Sequence, residues 1–300
     1  MFRKIMVTLM ALALALLPAL ACAETETYTI GFAVSTLENP FFVTMKDAAE
    51  AKAAELGVEL MVLDAQDNAE TQASQVEDFI TRGVDLLIIN PVDSDAIGTS
   101  VMACNDAEIP VITVTRASNA GTVVQHLDID NKEAGRLDAE QMIKDLDGKG
   151  KVAILEGTPG ASSTLEREEG FTAALEGTEI EVVTSLTANY SREEGATVTE
   201  DILQANPELD AIYAHNDEMA LGAVRSVAAA GRSDEIKIYG IDAIDDALAA
   251  VESGEMAATV QQQPDLQIQT ALENALKYLN GETLEERVNI PLKLIVKEEE

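Results

Sequence analysis

"YTIGFAVSTLENPFF" runs from Tyr28 to Phe42, and its three parts decide the fold. Tyr28–Val34 is apolar at nearly every position, the pattern of a strand covered on both faces of a parallel sheet. "STLENP" follows as a loop of turn-forming residues. An amphipathic segment then begins after the adjacent Phe41 and Phe42 and stops at Gly57, where a glycine supplies the left-handed conformation that ends a helix. The stretch is one strand–loop–helix unit.

The unit recurs. Further buried runs are "VELMVLDA" (58–65), "DLLIIN" (85–90), "IPVITVT" (109–115), "TVVQHLDI" (122–129), "KVAILEG" (151–157), "EIEVVTSL" (179–186), "DAIYAHN" (210–216), "IKIYGID" (236–242) and "MAATVQQ" (256–262). Helical segments lie between them, one from Glu70 to Gly83 and another ending at Gly231 after "EMALGAVRSVAAA". Strands alternating with helices predict an α/β, doubly wound architecture. Ten strands are more than one open sheet holds comfortably, so two lobes are expected, with the break near "HLDIDN" (126–131).

Composition narrows the function. The chain holds 20 Lys+Arg against 54 Asp+Glu, a net charge of −34. That excludes nucleic acid as a partner, because phosphate binding needs clustered cations. Met1–Ala23 reads as a secretory signal, with Arg3 and Lys4 before an apolar run from Ile5 to Leu17 and small residues up to "ACA". Cleavage after Ala23 is the expected processing, and lipid attachment at Cys22 the alternative. No second apolar run of spanning length follows, so a soluble protein outside the cytoplasm is expected. Cys104 reads as a buried small hydrophobe. No His/Cys cluster, nucleophile elbow or P-loop occurs, so neither metal, cofactor nor catalysis is expected; Asp242 with Glu166 is the sole acid/base pair worth weighing.

In an open parallel sheet, ligands bind at the carboxyl ends of the strands. The residues following those ends are the amides Asn39, Asn90, Asn216 and Gln262, the guanidinia Arg116 and Arg167, the carboxylate Asp242, and the rings Phe41, Phe42 and Tyr190. Together they match a sugar: hydroxyls that donate and accept, and a C–H face that packs on aromatics. Each also has a purely structural reading. Asn90, Asn216 and Asp242 suit turns or helix caps, Arg167 an i,i+4 surface pair, and the phenylalanines a core wedge. The coincidence of so many at one edge carries the functional reading.

"VSTLENPFF", "INPVDSDA", "PVITVTR", "EREEGF", "NDEMALGA" and "MAATVQQQPD", in register from about Tyr28 to Lys297, resemble the type I periplasmic binding proteins, and within them the ribose-binding branch that serves ABC importers. The resemblance implies two Rossmann-like lobes joined by three hinge crossovers near Asp128–Asp130, Gln262–Gln263 and Pro291–Leu292. It places residues 24–128 with 263–291 in the N-terminal lobe, and 129–262 with 292–300 in the C-terminal lobe, which a last strand completes. It implies a monosaccharide or related polyol as ligand, a membrane permease as partner, a chemotaxis receptor as a further one, and a monomer. Its contacts correspond to Asn39, Phe41, Phe42, Asn90, Arg116, Arg167, Tyr190, Asn216, Asp242 and Gln262. Thr115 departs from the pattern, since ribose binders carry an aspartate there. Losing a charged acceptor opposite a buried hydroxyl costs about 1.5–3 kcal/mol. The departure leaves a ketose or hexose, a sugar alcohol, a sugar acid, or ribose with a water in place of the carboxylate. The repressors that share the bilobal fold need a DNA-binding segment where this chain has a signal.

Overall fold

The computed structural model describes residues 27–297, so the expected signal, its cleavage point, Cys22 and the end of the acidic tail lie outside the described residues. All ten buried runs contain strands. The first sheet holds β1 (Thr29–Val34), β2 (Glu59–Asp64), β3 (Leu86–Ile89), β4 (Val111–Val114), β5 (Gln125–Asp128) and β11 (Arg287–Asn289), in the order β11-β5-β4-β3-β1-β2. The second holds β6 (Lys149–Glu156), β7 (Glu179–Thr187), β8 (Ala211–Ala214), β9 (Lys237–Asp242), β10 (Ala258–Gln261) and β12 (Lys293–Val296), in the order β12-β10-β9-β8-β6-β7. Every pairing is parallel except that of β10 with β12. The chain passes between the sheets three times: after β5, after β10 and after β11.

Nine helices flank the sheets among the described residues: α1 (Pro40–Leu56), α2 (Ala69–Arg82), α3 (Ile97–Asp106), α4 (Asn131–Asp145), α5 (Ser162–Ala174), α6 (Arg192–Ala205), α7 (Asp217–Ala229), α8 (Asp245–Ser253) and α9 (Pro264–Leu279). The strands β3, β4 and β8 are buried along their whole length, which is why they read as unbroken apolar runs. β11 and β12 were absent from those runs because they are short and half exposed, with only Val288 apolar in β11 and only Leu294, Ile295 and Val296 in β12. The resemblance alone anticipated β12.

One boundary corrects the sequence reading. α1 starts at Pro40 and not after Phe42. Asn39 accepts a hydrogen bond from the Phe41 N–H at 2.9 Å, and Pro40 has its fixed φ at the first helical position, where no N–H is needed. The two phenylalanines are therefore the first turn of a helix and inherit its rigidity.

Helices α4 and α5 touch through glycine. A methyl on Gly170 would fall 1.9 Å from the Lys132 carbonyl oxygen, and one on Gly135 would fall 2.1 Å from that of Arg167. This approach fixes the turn of α5 that carries Arg167. On the same α4, Asp138 is fully buried, and neither carboxylate oxygen has a hydrogen-bond partner. Burial, followed by repulsion from Asp217, raises its pKa well above the ordinary carboxylate value, while Arg167 opposes the shift.

Two outcomes are expected. Gly170→Ala costs about 1–3 kcal/mol by overpacking, measured as a lower urea midpoint at unchanged slope. Asp138→Asn stabilises the protein more at about pH 8 than at about pH 5. The folded pKa is raised, so the unfolded chain releases this proton first as pH climbs from about 4, and wild-type stability falls across that window. Thermal melts of the two proteins at both pH values read the difference, and an equal gain at each would refute it.

Candidate ligand-binding cleft

The carboxyl ends of the two sheets face each other across a cleft. Its inner part is narrow and lined by Asn39, Phe41, Phe42, Thr115, Arg116, Ser163, Arg167, Tyr190, Asn216, Asp242 and Gln262. An outer part shares Asn39, Phe42, Arg116 and Tyr190, and opens past Thr36, Asp67 and Arg192. Ten of the eleven residues predicted from sequence thus surround one gap.

Asn90 is the eleventh, and its place differs from the expectation. Its side chain accepts from the Ser35 N–H at 3.2 Å and donates to the Val114 carbonyl at 3.1 Å. Its own carbonyl accepts from Gln72 Nε2 at 2.8 Å. With no exposed surface, Asn90 ties together the ends of β1, β3 and β4.

Other residues keep both their readings. Asn39 and Asn216 cap α1 and α7 while lining the cleft, Asn216 accepting from the Met219 N–H at 3.0 Å. Phe41 and Phe42 meet edge to face at 5.1 Å, pack into the core of the first lobe and still form a wall of the cleft. Arg167 is no surface residue: Nε donates to Asn131 Oδ1 at 2.9 Å and Nη1 to the His215 carbonyl at 2.5 Å. Glu166, its neighbour in sequence, is not among the lining residues, so the Asp242–Glu166 pair does not form in the cleft.

Electrostatics give the cleft its character. Arg116 and Arg167 are both buried, yet neither makes a salt bridge among the described residues, nor does Asp242. Arg116 lies between two rings, Cζ sitting 5.6 Å from the Phe42 centroid and 5.2 Å from that of Tyr190. Its Nη1 donates to the Pro91 carbonyl at 3.0 Å, and its buried Nε has no partner. Burial pushes Asp242 well above the ordinary carboxylate pKa and Asp217 adds repulsion, while Arg167 and the Gln262 amide pull it back. Gln262 Nε2 holds Asp242 Oδ1 at 2.5 Å, and the buried Gln262 Oε1 is left open. Buried polar groups without partners are costly, so this cleft is built to be completed by a polar guest.

Three cleft residues also have strained backbones. Thr115 has φ +66°, Tyr190 +59° and Asp242 +143°. A β-branched residue in the left-handed region is an outlier, and such strain, of about 1–3 kcal/mol each, concentrates at functional sites.

The sequence reading missed Ser163. Its hydroxyl and that of Thr164 each lie 2.9 Å from Tyr190 Oη, holding the ring against the cleft. A signal was present: Ser163 and Arg167 are four residues apart, on one face of a helix.

Comparison with known proteins agrees with this geometry. The family described as periplasmic binding protein domain matches residues 30–283. A ribose import binding protein of Haemophilus influenzae is 43% identical over 267 residues, covering 89% of this chain and 91% of that protein. A periplasmic solute-binding protein of Actinobacillus succinogenes, solved with D-allose bound, superimposes with a TM-score of 0.86 at 32% identity, over 90% of this chain and 98% of that one. The myo-inositol-binding protein of Caulobacter, with myo-inositol bound, gives a TM-score of 0.86 at 36% identity, over 89% and 93%. A two-lobed α/β chain whose strand ends converge on a polar, aromatic-walled cleft, this protein belongs to the periplasmic binding protein family.

Proposed function

We propose that this protein captures one monosaccharide or closely related polyol outside the cytoplasm by closing its lobes, and delivers it to the permease of an ABC importer. The observation that carries this reading is the divided lining of the cleft. Asn39, Phe41, Phe42, Thr115 and Arg116 follow strands of the first sheet, Arg167, Tyr190, Asn216 and Asp242 follow strands of the second, and Gln262 sits at a crossing. A ligand that touches both walls binds the closed arrangement more tightly than the open one, so it drives closure by that difference. A permease that recognises the closed form then reads occupancy.

The passages between the sheets after β5, β10 and β11 support a hinge division with residues 27–128 and 263–291 in one lobe and 129–262 and 292–297 in the other. The protein acts as a monomer, since a single chain supplies both walls. The related proteins hold a hexose in one case and a cyclitol in another, and a third imports a pentose, so the fold admits several polyols. The cleft supplies binding groups without a reaction centre. His215 is buried and held neutral, its pKa pushed down to about 3 by burial and by Arg167, and Glu166 lies away from Asp242. A chemotaxis receptor reading the same closed form is a compatible second partner.

Calorimetric titration with ribose, D-allose, myo-inositol and xylitol tests the reading, and at least one is expected to bind. Arg167→Ala is expected to weaken that ligand about 10- to 150-fold, because a buried hydrogen bond from a charged donor contributes about 1.5–3 kcal/mol. Affinity unchanged by the substitution would remove Arg167 from the site.

A further inference from the structure

Gln267, in α9, has no exposed surface, and sequence gave no reason to single it out. It lies behind Thr115. Thr115 Oγ1 is 3.0 Å from Gln267 Oε1, and Gln267 Nε2 is 3.2 Å from the Gln262 carbonyl oxygen. Chemistry fixes the direction of both bonds. A backbone carbonyl only accepts, so the amide nitrogen of Gln267 must face Gln262 and the amide oxygen must face Thr115. An amide oxygen also only accepts, so the Thr115 proton points at Gln267. What Thr115 turns toward the cleft is lone pairs.

Gln262 repeats the arrangement. One hydrogen of its Nε2 goes to the Asp242 carboxylate, and the buried Oε1 is an acceptor without a donor. Thr115, Gln262 and Asp242, which carry these acceptors, all line the inner cleft. The donors of the cleft, among them the unpartnered Nε of Arg116, serve a hydroxyl and pair more strongly with a carboxylate, so they do not exclude a sugar acid. The acceptors do: a ligand carboxylate facing them has no hydrogen to give and meets repulsion.

We propose that Gln267 is a positioning residue which, by taking the Thr115 proton, makes Thr115 accept and not donate toward the cleft, so that the ligand group facing it must be a hydroxyl and the cleft selects an uncharged polyol over the sugar acid whose carboxylate would stand there. The inference rests on the sugar-binding reading above and narrows its ligand class. Thr115 and Gln267 also form a matched pair. A carboxylate placed at position 115 would face the amide oxygen of Gln267, so Thr115→Asp improves no ligand unless Gln267 is replaced with it.

The test is a titration panel in which each neutral sugar or alditol is run beside its aldonic acid. The wild-type protein is expected to bind its neutral ligand at least about tenfold more tightly than the acid. Gln267→Leu frees the Thr115 hydroxyl to turn and donate, so that ratio is expected to shrink several-fold, while Thr115→Ser keeps it. A merely structural role for Gln267 would lower the melting temperature and leave the ratio alone. Should Gln267→Leu fail to fold, deoxy and fluorodeoxy analogues of the bound ligand decide the matter on the wild-type protein. Fluorine cannot donate, so at least one hydroxyl position must lose affinity on deoxygenation without recovery by fluorine. Equal or tighter binding of the acid, an unmoved ratio in folded Gln267→Leu, or recovery by fluorine at every position overturns the proposal. If no neutral or acidic sugar binds at all, the sugar-binding reading itself falls.

Discussion

A guanidinium held between two aromatic faces closes this molecule. Arg116 comes from the first lobe with Phe42 on one side, and the Tyr190 ring approaches from the second lobe on the other. Each such contact contributes about 0.5–2 kcal/mol, while burying an unpaired charge costs more than that. The stack therefore aligns the lobes without by itself making the closed form secure. In the proposed function, ligand oxygens that reach the remaining donors of Arg116 and Arg167 would supply the difference and so tie occupancy to closure.

Direct bonds between the lobes surround that stack. The Ser94 N–H donates to the Gly160 carbonyl at 3.0 Å, the Ser162 N–H to Ser94 Oγ at 3.2 Å, and the Ala117 N–H to Ser162 Oγ at 3.0 Å. All are neutral, and water can satisfy the same groups when the lobes part, so their net contribution is about 0.5–1.5 kcal/mol each. They set the register in which the walls meet. The buried and chemically selective contacts lie deeper, where a chain of bonds links Thr115, Gln267, Gln262 and Asp242 from one lobe to the other. That chain runs through the second crossing, where Gln263 has φ +58°. Strain at Thr115, Asp242 and Gln263 thus falls where the site and the hinge meet.

Much of the fold and the cleft was legible in the amino-acid order. Buried parallel strands leave unbroken apolar runs, and capped helices leave Asn-Pro, Asn-Asp and trailing Gly. Because ligands gather at the carboxyl ends of strands, reading the residues after each run collected ten, nine of which line the cleft. Where this failed, the reason was specific. Asn90 follows a strand as the others do, but its amide turns inward to neighbouring strand ends. β11 and β12 are too short for a distinct run, and each lies half exposed at the edge of its sheet.

The sequence by itself determined the α/β class, the number of principal strands, the presence of two lobes and the polar and aromatic flavour of the site. Those properties follow from local periodicity and from which residues succeed a strand. Only the tertiary structure decided which way each polar group points. Thr115 and Gln267 are 152 residues apart, and the proton between them is assigned by a third group, the Gln262 carbonyl. Hydrogen-bond direction depends on all partners at once, and those partners meet only when the chain has folded.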